Sequence, residues 1–138
     1  MKTMFIAIFL FVSNCLFAQS YSEAFKVQLG TYDKLRSKWE WGKAEDRNIE
    51  FKLDGVKVYI YNNANTILTT YEDLGEESKY DEDGDSYKIH KWRATDDQLR
   101  KCIFYMVYYK ELPIIIYTVM YNDIAFRFYI RNNKLSNF

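Results

Sequence analysis

The sequence predicts an all-β protein, an antiparallel meander of eight or nine strands closing into a small up-and-down barrel. A two-sheet β-sandwich is the alternative, and one or two short helical turns are the most helix it would hold. Three observations carry this expectation. Aromatic residues make up 19% of the chain, β-branched and aromatic runs recur, and short turn signals separate them. One proline and five glycines speak against disorder.

Residues 1–18 stand apart from the fold. Lys2 gives a short basic start, and residues 4–12 (MFIAIFLFV) form an unbroken apolar run too short to span a bilayer as a helix. Leu16-Phe17-Ala18 follows, so the stretch reads as a bacterial secretory signal peptide cut after Ala18. The protein is therefore expected in the periplasm or outside the cell. A rival reading takes Val12-Ser13-Asn14-Cys15 as a lipoprotein box with Cys15 lipid-anchored, although Asn14 stands where a small residue is wanted.

Residues 19–138 then form a single all-β domain without a transmembrane helix. Removing the signal takes one base and no acid from the 19 of each, which leaves a formal charge of −1. That balance excludes nucleic acid as a partner, because such binding rests on neutralising phosphates. Cys102 is the one cysteine left in the mature chain, so no internal disulfide supports the fold.

Taken in order, residues 24–29 (AFKVQL) alternate as a first strand ending at Gly30. Thr31 is placed to cap a short helical turn, and Trp39 and Trp41 at i,i+2 suit a strand after it. Asp54-Gly55 signals a tight hairpin turn that would set Leu53 beside Val56, Phe51 beside Val58 and Ile49 beside Ile60. Residues 66–71 (TILTTY) read as a strand. Residues 72–85 hold eight carboxylates and read as a mobile surface loop. Residues 87–93 (YKIHKWR) alternate as a strand of unclear facing, and Thr95-Asp96-Asp97-Gln98 has the spacing of a capping box around one helical turn.

Residues 100–131 organise the rest, as three strands with turns at Lys110-Glu111 and Asn122-Asp123. The first turn pairs Met106 with Ile115, Phe104 with Tyr117 and Cys102 with Val119. The second pairs Val119 with Phe126 and Tyr117 with Phe128. These pairs share one face, the predicted core. The opposite face carries Ile103, Tyr105, Val107, Tyr109, Ile114 and Ile116, a patch that soluble monomers seldom leave bare. Its expected cover is the N-terminal segment from Phe25 to Trp41 or a second subunit, which makes it the candidate interaction face.

Motifs with chemistry are few. Asp81, Asp83 and Asp85 match positions 1, 3 and 5 of a calcium loop, but Ser86 stands at position 6 and Trp92 at position 12. Weak calcium binding by a solvated acidic loop is the most this supports. His90 is the one histidine, and no nucleophile elbow or glycine-rich phosphate loop accompanies it, so neither an enzyme nor a cofactor is expected. Three tryptophans and thirteen tyrosines exceed the needs of a small core and suit interfaces. The expected function is a non-enzymatic binder holding a small apolar or amphipathic ligand in the barrel. The alternative is a protein-interaction or assembly module using the outer sheet face. The barrel resembles lipocalin-type binders in architecture alone, and architecture does not fix function.

Overall fold

The computed structural model describes residues 17–131. Nine antiparallel strands form one sheet: β1 (Phe17–Asp33), β2 (Lys38–Trp41), β3 (Glu45–Gly55), β4 (Lys57–Tyr61), β5 (Thr66–Tyr80), β6 (Ser86–Thr95), β7 (Lys101–Tyr109), β8 (Ile114–Met120) and β9 (Ile124–Arg131). Their order is β2-β1-β3-β4-β5-β6-β7-β8-β9, and β1 also pairs with β9, so the sheet closes on itself as the meander pattern requires. The ring is uneven. β5 and β6 match at ten positions, whereas β4 meets β5 at four, from Lys57↔Thr69 to Ile60↔Thr66.

The expected helical turns are strands and tight turns instead. β1 runs on to Asp33, whose Oδ1 accepts the N–H of Leu35 and Arg36 at 3.0 and 3.2 Å, and the chain reverses into β2 through Ser37 at φ 52°. The acidic stretch is also corrected. Residues 72–80 are not a mobile loop but the far half of β5, paired with β6. Cross-strand cations make this tolerable: Arg93 Nε lies 3.0 Å from Glu72, and Lys88 Nζ lies 3.8 Å from Glu76. The strand bends where the register shifts, at Tyr71 and at Leu74, and Gly75 takes the positive φ of 91° that the second shift demands.

Both predicted hairpin registers of β3–β4 and β7–β8 slip by two residues. Leu53 pairs with Val58 and Phe51 with Ile60, because Gly55 and Val56 are the central turn residues and the positive φ falls on Gly55 alone. Met106 pairs with Tyr117 and Phe104 with Val119, because the link spans residues 110–113 and Pro113 precedes the strand. The β8–β9 register is as expected, with Val119 opposite Phe126 and Tyr117 opposite Phe128. A slip of two leaves every side chain on its face. Ile49, Phe51, Leu53, Cys102, Phe104, Met106, Tyr117, Val119, Phe128 and Ile130 are all buried in the core.

No helix among the described residues is long and apolar enough to cross a membrane. Residues 1–16 of the expected signal peptide, Cys15 included, lie outside the described residues. Phe17 and Ala18, on the signal side of the expected cut, begin β1. The Phe17 ring packs on Trp92 and Phe104 with centroids 4.9 and 6.2 Å away.

Candidate functional site

The middle of the barrel is filled. A chain of rings runs from Trp92 to Phe104 (5.9 Å), Phe104 to Tyr117 (5.6 Å), Tyr117 to Phe51 (5.2 Å) and Phe51 to Phe128 (4.9 Å). Most of these contacts are edge-on, the arrangement that aromatic quadrupoles favour. A ligand enclosed at mid-barrel would have to displace them.

The space lies instead at one mouth, where the β4–β5, β6–β7 and β8–β9 links meet. A cavity of about 290 Å³ there has an apolar floor of Ile60, Val119, Ile124, Phe126 and Phe128 and a polar rim of Asn62, Asn65, Asp97, Gln98 and Arg100. A depression of about 200 Å³ adjoins it, sharing Asn62, Phe126 and Phe128 and adding Val27 and Leu29. The floor exists because inward residues of β9 sit at i,i+2, which puts the Phe126 and Phe128 rings side by side at 6.4 Å.

Asp96 holds this mouth open in one shape. Its Oδ1 accepts the N–H of Gln98 and of Arg100, and its Oδ2 accepts Arg100 Nε–H and the Tyr121 hydroxyl, all at 2.9 Å. Leu99 takes a positive φ of 61° inside that loop. Burial alone would raise the Asp96 pKa, but the hydrogen bonds from Arg100, Tyr121 and Gln98 outweigh it and hold the carboxyl below its ordinary value of 3.8. The capping box expected at Thr95–Gln98 does not form: no helical turn follows, and Asp96, one residue later than the expected cap, closes a tight turn instead.

Cys102 is buried, as its register requires. Burial first, then the charge of Asp96, pushes its thiol up to about 12, so it stays protonated and unreactive. His90 faces inward and is fully engaged. Its ring stacks on Trp92 at 3.9 Å, Nε2 lies 2.6 Å from Asp73 Oδ1, and Nδ1 lies 3.6 Å from Glu76. Sequence reasoning missed those partners because both sit in the stretch read as a loop.

Asp81, Asp83 and Asp85 do come together, with carboxylate oxygens within 4.8 Å of one another. Asp81 Oδ1 already accepts the N–H of Asp83 and of Asp85, which closes the turn between β5 and β6. Partial desolvation, then the charges of Asp81, Asp83 and Glu111, raises the pKa of Asp85.

On the outer face, Ile103, Tyr105, Val107, Tyr109, Ile114 and Ile116 are all half-buried. The contacts of the N-terminal segment on the outer face fall on β9, beside this wall. Trp41 lies across Gly30, where a Cβ would meet the indole at 2.8 Å, and the Arg127 guanidinium sits 3.5 Å from the Trp41 ring. Arg131 lies over Phe25 at 4.7 Å, and Tyr129 donates to Gln28 Oε1 at 2.8 Å. Farther along the wall, Lys91 lies over the Tyr105 ring at 5.7 Å. No family model, no curated protein and no solved structure matches this chain.

Proposed function

We propose that the chain is an exported, non-enzymatic binding protein whose open barrel mouth takes a small apolar or amphipathic ligand. The observation that carries this reading is an apolar floor beneath a polar rim, in which Ile124 and Phe126 are partly exposed above the buried Val119 and Phe128. Exposed apolar floors of this kind gain free energy by covering themselves at about 25 cal/mol per Å². Small-molecule sites span about 300–1,000 Å³, so the cavity of about 290 Å³ suits a compact ligand. Asp97, Gln98 and Arg100 stand where the polar end of an amphipathic ligand would emerge. The basic, apolar and small-residue succession of residues 1–18 supports export.

The test is a fluorescence titration with N-phenyl-1-naphthylamine, a neutral apolar probe. Binding is expected, and Phe126→Glu should weaken it at least tenfold, about 1.4 kcal/mol. Phe126 is only partly buried, so the variant should stay folded. No fluorescence gain with the parent protein, or equal gain with the variant, would sink the reading.

A second reading follows from the half-exposed outer wall of β7 and β8, which suits an interaction or assembly module. Val107 and Ile116 pair directly there, with Ile114 one step along the same face. If this wall binds another copy, sedimentation velocity should show a dimer that the double variant Ile114→Lys/Ile116→Lys reduces to monomer. A parent protein that sediments as a monomer at all concentrations removes self-association through this wall.

A further inference from the structure

The outer wall holds a second cavity, on the far side of Tyr121 from the mouth. It measures about 460 Å³, and its lining includes Trp39, Tyr71, Arg93, Lys101, Ile103 and Met120. The register explains its shape. Ile103 of β7 pairs with Arg93 of β6 on one side and with Met120 of β8 on the other, so these side chains stand in one row on the outer face. Tyr71, next to the Glu72↔Arg93 pair, closes one end. The β1–β2 hairpin overhangs the β8–β9 turn and closes the other, tied down by Tyr32 N–H donating to the Asp123 carbonyl at 3.0 Å. Trp39 stands on that hairpin, its ring 5.3 Å from the ring of Tyr32.

The charge of this trough is one-sided. Its lining contains two cations and no carboxylate. Glu72 partly neutralises Arg93 at 3.0 Å, but Lys101 is exposed and forms no ion pair among the described residues. Aromatic walls at both ends, a floor of Ile103 and Met120 and an exposed ammonium at the edge form a complementary set. Flat rings stack on tryptophan and tyrosine, and an anionic group gains a charge-assisted hydrogen bond from lysine. We propose that this trough is a second binding site, specific for a small anion with a flat apolar body such as an aromatic carboxylate. It is independent of the barrel mouth, and neither site requires the other to be occupied.

The experiment uses 2-naphthoate as the anionic probe and 2-naphthamide as its neutral counterpart of the same shape. Calorimetry gives the affinities, and NMR of the Met120 methyl group and the Trp39 indole N–H gives the place. We expect 2-naphthoate to bind at least tenfold more tightly than 2-naphthamide and to shift both signals. Lys101→Met, which keeps the apolar stem and removes the charge, should weaken 2-naphthoate at least tenfold. It should leave 2-naphthamide and the mouth's binding of N-phenyl-1-naphthylamine unchanged. Tyr71→Ser should weaken both naphthyl probes. The proposal is overturned if the two probes bind equally or if Lys101→Met leaves 2-naphthoate untouched. Shifts that fall on Phe126 and Phe128 instead of Met120 and Trp39 overturn it as well.

Discussion

Truncating Phe104 to alanine should lower the unfolding free energy by about 3–5 kcal/mol, the largest loss expected from any single change in this barrel. Phe104 is completely buried and sits between Trp92 of β6 and Val119 of β8 in the pairing. Its ring also meets those of Trp92 and Tyr117, at 5.9 and 5.6 Å, so the hole left behind is bounded by rigid aromatic rings on two sides. Such walls collapse poorly, which places the cost towards the upper part of the range. Phe104→Leu keeps most of the volume and should cost clearly less. Urea unfolding followed by far-ultraviolet circular dichroism measures both. A loss under about 1 kcal/mol for the alanine variant would mean that the ring chain is not the centre of the core.

The second large effect is expected at Asp96. Asp96→Ala removes the acceptor of two backbone N–H groups, the Tyr121 hydroxyl and the Arg100 guanidinium. Arg100 is largely exposed and can return to water, so no buried charge is stranded. The loss is then that of the remaining hydrogen bonds and the loop they fix, about 2–4 kcal/mol. The pH dependence follows from the direction of the shift. The folded carboxyl titrates below its ordinary value of 3.8, so its contribution is complete above that value and vanishes as the pH falls through the folded one. Asp96→Ala should therefore flatten the stability profile below about pH 4. Parallel acid titrations of parent and variant check this, and parallel curves would refute the assignment.

What the sequence made legible was the face of each side chain, and what it hid was the turn. Period-two alternation put Phe51, Phe104, Tyr117 and Val119 in the core correctly, even though their partners across two hairpins were set wrongly. Asp54-Gly55 drew the centre of one turn too early, because the geometry needs positive φ at Gly55 alone and leaves Asp54 paired with Lys57. The acidic stretch misled for a different reason. Its compensating cations, Lys88 and Arg93, lie on the next strand, and composition within a window says nothing of what pairs across it. The candidate sites were legible only in part. Alternation assigns Phe126 and Phe128 to the core face, but that they floor an open mouth depends on how far the β4–β5 and β6–β7 links stand from them. Nothing in the order of residues reveals that Trp39, Tyr71 and Lys101 share one trough, since they come from three separate strands.

The joining of β1 to β9 has a consequence for how the chain reaches this state. Ala24 pairs with Ile130 and Thr31 with Ile124, so the ring cannot shut until nearly the whole polypeptide is free to fold. Local hairpins such as β8–β9 form in about 1–10 μs, but a search between distant ends places barrels of this kind among the slow folders, at about milliseconds to seconds. During that interval the first and last strands present bare edges, and newly made copies are open to pairing with one another. The step that commits a molecule to its own barrel, and not to a neighbour's, is therefore the last one.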